Sequence, residues 1–111
     1  MRIAVVGSRN LNIENMEDYI PIDTDEIVTG GAKGIDKCAV RFAQKIGIKY
    51  TEILPNYKKY GIAAPIVRNK EIVKSVEAAV IFWDGKSKGT KSVIDFCNEI
   101  EIPIILNIIK K

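Results

Sequence analysis

The chain has 111 residues, 47% of them hydrophobic and 28% charged, and its 17 Lys and Arg against 14 Asp and Glu give a formal net charge of +3. That length fits one domain, residues 1–111, with enough buried surface for its own core. No apolar run reaches the ~18 residues of a membrane span, and the charge is too small to argue for nucleic acid by itself. The sequence contains no histidine, which excludes a Ser-His-Asp triad, a Cys-His pair and a His-ligated metal. Cys38 and Cys97 are the only cysteines; they lie in helical patterns beside apolar stripes. Buried, reduced thiols and a cytoplasmic location are expected, with no metal and no cofactor.

Ile3 to Val6 is a continuous apolar run, as expected of a strand buried on both faces. The stretch is too short for a signal peptide. It ends in Gly7-Ser8-Arg9-Asn10, where a glycine, a hydroxyl and a guanidinium can serve an anion. Asn12 or Asn15 is a helix cap, and the spacing predicts a short helix to about Ile20 with Met16, Tyr19 and Ile20 inward. Pro21 and Asp23-Thr24-Asp25 turn the chain into a second strand, Glu26 to Thr29.

Thr29-Gly30-Gly31-Ala32-Lys33-Gly34-Ile35-Asp36 follows. Ile35, Cys38, Ala39, Phe42, Ala43 and Ile46 then recur at helical spacing until Gly47. A strand thus feeds a glycine turn, and the turn feeds a helix start. Free N–H groups and the helix dipole favour an anion there, and glycines let it approach. The same octapeptide also suits a plain strand-to-helix turn. Asp36, in the first helical turn, either steadies the helix through the dipole or accepts a hydrogen bond from a ribose hydroxyl.

Lys49 to Leu54 is the third strand, ended by Pro55. Asn56-Tyr57-Lys58-Lys59-Tyr60-Gly61 is a loop whose rings either stack on a base beside the lysines or pack on neighbouring side chains. Pro65 opens a helix to about Val76, with Ile66, Val73 and Val76 inward. Arg68-Asn69, near its start, is either solvated or in contact with a ligand. Ala78 to Trp83 is the fourth strand, and Asp84-Gly85 turns it. Trp83 is either core or a stacking face; Asp84 is a turn former, a ribose contact or an acid. Ser87, Gly89 and Thr90 then lead into a helix carrying Val93, Ile94, Cys97 and Ile100, a second cradle of the same design. Pro103 to Ile109 is the last strand, and Lys110-Lys111 a solvated tail.

Strands alternating with helices predict a doubly wound α/β domain: a five-stranded parallel sheet of order 3-2-1-4-5 with helices on both faces. In that order strands one, two and four adjoin, and the loops after them converge where such sheets bind ligands. Arg9 and Arg68 are the preferred phosphate contacts, because guanidinium matches phosphate oxygens bidentately.

Gly7-Ser8-Arg9, Gly30-Gly31-Ala32-Lys33-Gly34-Ile35-Asp36 and Lys88-Gly89-Thr90, each after a strand, resemble the SLOG superfamily. That group joins the DNA-processing protein DprA/Smf, the LOG phosphoribohydrolases and small Rossmann-like domains. The likeness covers nearly the whole chain and is closest to the YspA/YpsA-like domains of unknown function. Their Arg-Asn in the third helix and Trp-Asp-Gly ending the fourth strand are similar to Arg68-Asn69 and Trp83-Asp84-Gly85 here. The resemblance implies a nucleotide, a nucleotide-derived signal or nucleic acid at these loops. LOG enzymes carry a Pro-Gly-Gly-x-Gly-Thr-x-x-Glu motif with a catalytic Glu and an upstream Arg. Gly89-Thr90 matches it and Arg68 stands in for the Arg, but Val93 occupies the position of the Glu. DprA-like proteins are longer and carry additional modules.

The leading expectation is therefore binding or sensing of a nucleotide or nucleotide-derived ligand such as an ADP-ribose-like molecule. The first alternative is a phosphoribohydrolase-like nucleotide N-glycosidase, with Asp84 or Asp36 in place of the Glu and Arg68 beside it. The second is DprA-like nucleic-acid binding through the tyrosine–lysine segment. No membrane partner is expected, and a homodimer through an exposed helix face is compatible with the pattern.

Overall fold

The alternation of side chains along the first strand decides the layering. The computed structural model describes residues 1–110, so Lys111, expected as a solvated tail, lies outside the described residues. In β1 (Arg2–Gly7), Ile3 and Val5 enter one apolar cluster, and Ala4 and Val6 enter another across the sheet. β4 (Ala78–Trp83) does the same, with Val80 and Phe82 on the first side and Ala79 and Ile81 on the second. Both strands are buried on both faces, which is why they read as unbroken apolar runs.

With β2 (Glu26–Thr29), β3 (Lys49–Glu52) and β5 (Ile104–Ile108) they form an all-parallel sheet of order β3-β2-β1-β4-β5. The helix α1 (Ile35–Ile46) packs Ile35, Cys38, Ala39, Phe42 and Ala43 onto one face. The opposite face is covered by α3 (Ala64–Lys74), through Ile72 and Val73, and by α4 (Lys88–Glu99), through Val93, Ile94 and Cys97. A short α2 (Tyr57–Tyr60) precedes α3. The chain is a Rossmann-like five-stranded parallel α/β domain, in the expected strand order.

Several expected bounds shift. The first helix shrinks to a 3-10 turn, Met16–Asp18. Asn15 makes no side-chain cap and instead donates to the Asp18 carboxylate at 2.9 Å. Leu11 and Met16 are both buried under the sheet, so the segment is pinned at both ends and stays mostly irregular. The third strand stops at Glu52, and Leu54 is 63% exposed. The tyrosine–lysine loop contains α2, because the Asn56 side chain accepts from Lys59 N–H at 3.1 Å and nucleates a turn. Ile46, Ile66 and Ile100 face solvent rather than inward, while Val76, just past the end of α3, is buried.

Cys38 and Cys97 are buried and free, and burial pushes the Cys97 thiol up to about 11. Among the described residues no helix is long and apolar enough to cross a membrane.

Candidate functional site

A cavity of about 430 Å³ opens at the carboxyl ends of β1, β2 and β4. This is the switch point of the sheet, where the strand order reverses and flanking loops splay apart. Gly7 and Arg9 line it from the loop after β1. Gly30, Gly31, Ala32 and Asp36 line it from the glycine turn, Arg68 and Asn69 from α3, and Ser87, Gly89 and Thr90 from the start of α4. Six other residues expected at the site are not in its lining: Ser8, Lys33, Gly34, Trp83, Asp84 and Gly85.

Those six mostly build the frame. Ser8 is buried; its hydroxyl accepts from Asp84 N–H at 3.0 Å and ties the end of β1 to the end of β4. Asp84 accepts from Ser87 N–H at 2.7 Å and Lys86 N–H at 2.8 Å, which closes the turn and holds its carboxyl below the usual aspartate range. Trp83 donates its indole N–H to the Ser87 carbonyl at 3.0 Å and packs against the α3–α4 cluster. Gly34 has φ +75°, and a Cβ there would fall 2.6 Å from the Arg9 carbonyl oxygen. Only glycine lets the first and second loops pack this closely. Lys33 and Gly85 are solvent-facing or nearly so, beside these turns.

The glycine turn already holds an anion, and it is the protein's own. Asp36 Oδ2 accepts from Gly30 N–H at 3.1 Å and Ala32 N–H at 3.2 Å. Two of the amides expected to cradle a phosphate are therefore occupied. Asp36 is 4% exposed, and its other oxygen, Oδ1, has no hydrogen-bond partner. Burial drives its pKa up, against the Ala32 amide, the positive charge of Arg68, the Gly30 amide and the nearby Thr29 hydroxyl.

Arg68 spans the gap between α3 and the turn. Nη1 donates to the Gly30 carbonyl at 2.6 Å, and Nε donates to Asn69 Oδ1 at 2.8 Å. Asn69, itself buried, points its amide at the Gly89 carbonyl, 3.5 Å away. One chain of contacts thus joins the turn, α3 and α4. Burial and the neighbouring Arg9 both disfavour the Arg68 charge, while Asp36 favours it. Two guanidinium groups accordingly face one cavity with a single carboxylate whose own charge is disfavoured by burial.

The α4 end of the cavity is the open cradle. Ser87 caps the helix, its Oγ accepting from Thr90 N–H at 3.4 Å. The N–H groups of Lys88 and Gly89, first in the helix, have no acceptor among the described residues and carry the positive end of the dipole. A Cβ at Gly89 would meet nothing within 4 Å. No neighbour in the protein requires glycine there.

Sequence reasoning missed the apolar part of the lining. Val6, Ile72 and Val93 contribute from buried positions, and Leu54, Pro55, Tyr57 and Pro65 contribute from the turn after β3 and the start of α3. Tyr57 was legible only as one of a tyrosine–lysine group, and Leu54 only as a strand end. Val93 lines the cavity with an alkyl group, and Asp36 is the only carboxylate among the lining residues. Comparison of the chain with protein-family models, curated proteins and solved structures finds no match.

Proposed function

We propose that the chain binds a nucleotide or nucleotide-derived phosphate in this cavity. Its phosphate lies between Arg9, Arg68 and the first turn of α4. The observation that carries the reading is the imbalance of charge: two arginines and a free helix N-terminus against one buried carboxylate. A bound anion resolves that imbalance, and bidentate guanidinium contacts suit phosphate oxygens. The volume of about 430 Å³ falls at the small end of ligand pockets, the size of a mononucleotide rather than a dinucleotide. Leu54, Pro55 and the exposed ring of Tyr57 offer an apolar rim for a base.

One observation favours a second reading, hydrolysis of the N-glycosidic bond. Asp36 is a cavity carboxylate with a pKa raised by burial, the setting in which general acids occur. Asp84 is tied to its turn and lies outside the lining.

A thermal-shift screen against nucleoside monophosphates, ADP-ribose and a short single-stranded oligonucleotide tests the proposal. At 100 times its dissociation constant a ligand stabilises by about 2.7 kcal/mol, which for this length raises Tm by roughly 10 °C or more. A mononucleotide recovered intact supports binding alone, and one recovered as base and sugar phosphate supports the hydrolase. A shift with the oligonucleotide only, or with none of these, counts against the proposal.

A further inference from the structure

The two edges of the sheet are treated differently. At one edge, β3 reads Lys-Tyr-Thr-Glu, and its charges are tied down by Glu26–Lys49 and Lys37–Glu52 ion pairs. Charged edges of this kind resist pairing with another strand. At the other edge, β5 reads Ile-Ile-Leu-Asn-Ile and holds no charge, no proline and no glycine. Ile105, Leu106 and Ile108 are 47%, 39% and 54% exposed. In a parallel sheet covered by helices such strands are ordinarily buried on both faces.

The backbone of β5 has a free row as well. Pro103 O accepts from Ala79 N–H, and Ile109 N–H donates to the Trp83 carbonyl. The odd-numbered residues of β5 therefore turn their polar groups toward β4. Ile104, Leu106 and Ile108 turn theirs outward, and among the described residues no strand lies beyond to receive them.

We infer that β5 is the docking edge for a second copy of this chain, paired antiparallel about a two-fold axis at Leu106. That register has consequences no neighbouring one shares. Ile104 of each copy pairs with Ile108 of the other and Leu106 with itself, so every outward N–H and C=O of the strand finds a partner. The same pairs stack apolar side chains across the junction on one face. Charge agrees: Glu101 precedes the strand and Lys110 follows it, both exposed. Antiparallel pairing brings the acidic end of one copy to the basic end of the other, whereas parallel pairing opposes like charges. The product is one continuous ten-stranded sheet, with the two ligand cavities apart from the junction.

Sedimentation velocity from micromolar to millimolar concentration, with hydrogen exchange by NMR, tests this. The expected result is a monomer–dimer equilibrium in which the amides of Ile104, Leu106 and Ile108 gain protection with concentration, while those of Ile105 and Asn107 do not. Leu106→Lys places two like charges at the axis and weakens the dimer by about 100-fold or more. Ile108→Lys, at a more exposed position, gives the same direction should the first variant fold poorly. Ile62→Lys, on a separate surface, leaves the dimer unchanged. Glu101→Lys and Lys110→Glu each weaken it about threefold, and the double reversal restores it. A chain that stays monomeric throughout overturns the inference. So does a dimer indifferent to both strand variants, or protection that rises without alternation along β5.

Discussion

Asp36 shows how one residue sets both the shape and the charge of the cavity. Its carboxylate organises the glycine turn through two amides, yet it sits where burial disfavours ionisation. Because its folded pKa lies above the unfolded one, its share of stability falls as pH rises from the ordinary aspartate value near ~3.9 through the raised one. Asp36→Asn therefore removes a pH-dependent loss across that window, which urea unfolding at a series of pH values measures. Glu26 behaves oppositely. Burial raises its pKa, but the Thr51 hydroxyl, Arg2 and Lys49 together outweigh burial and hold it below the ordinary glutamate value. Its stabilisation is complete above that value and is lost as pH falls through the depressed one, so Glu26→Gln flattens the acid limb of the same curve. Neither role was legible in the sequence. Asp36 was correctly placed in a first helical turn, but which amides its oxygen meets depends on how Gly30 to Gly34 fold back.

At the scale of elements, the start of α4 brings a helix N-terminus to the cavity. Ser87 supplies its cap, and removing a Ser cap costs about 1 kcal/mol. Ser87→Ala should lower stability by that amount in urea unfolding and also weaken phosphate binding, since the free amides lose their fixed direction. Elements with strong periodicity were legible: β2, α1 and β4 fall on the expected residues. Those that failed were short ones. The four residues of α2 are too few to show a period, and the expected helix after β1 gives way to irregular chain and one 3-10 turn because Leu11 and Met16 are both drawn under the sheet. The site divides in the same manner. Glycine, arginine and hydroxyl residues stand out by type, so the lining from Gly30, Arg68 and Thr90 was legible. Leu54, Pro55 and Tyr57 are ordinary by type and reach the cavity only because β3 ends early.

For the whole molecule, the strand order gathers loops that are far apart in sequence into one positively charged mouth. Arg9 comes from the first loop, Arg68 from α3 and Gly89 from α4; contacts through Gly30 and Asn69 join the glycine turn, α3 and α4, and Ser8 ties the first loop to the end of β4. Anion binding there should weaken as salt rises, because Arg9 is exposed and its attraction is screened. Calorimetric titration at low and moderate ionic strength reads that slope. The excess of charge is local, since the net charge of +3 is small for the chain.

The most direct test of the phosphate site is Gly89→Ala, with stability and binding measured on the same sample. A glycine turn such as Gly31 makes a poor probe: its φ of +73° and the close approach of the Leu54 side chain mean that a larger residue damages the fold itself. At Gly89 a methyl meets nothing in the protein and replaces glycine within a helix. The variant should therefore be as stable as the parent or up to about 1 kcal/mol more so. Because Gly89 lines the cavity and the phosphate is assigned to the first turn of α4, affinity for the nucleotide found in the screen should fall at least about tenfold, a loss of about 1.4 kcal/mol. A variant that folds as well and binds the nucleotide as tightly as the parent would contradict the placement of the ligand at the start of α4.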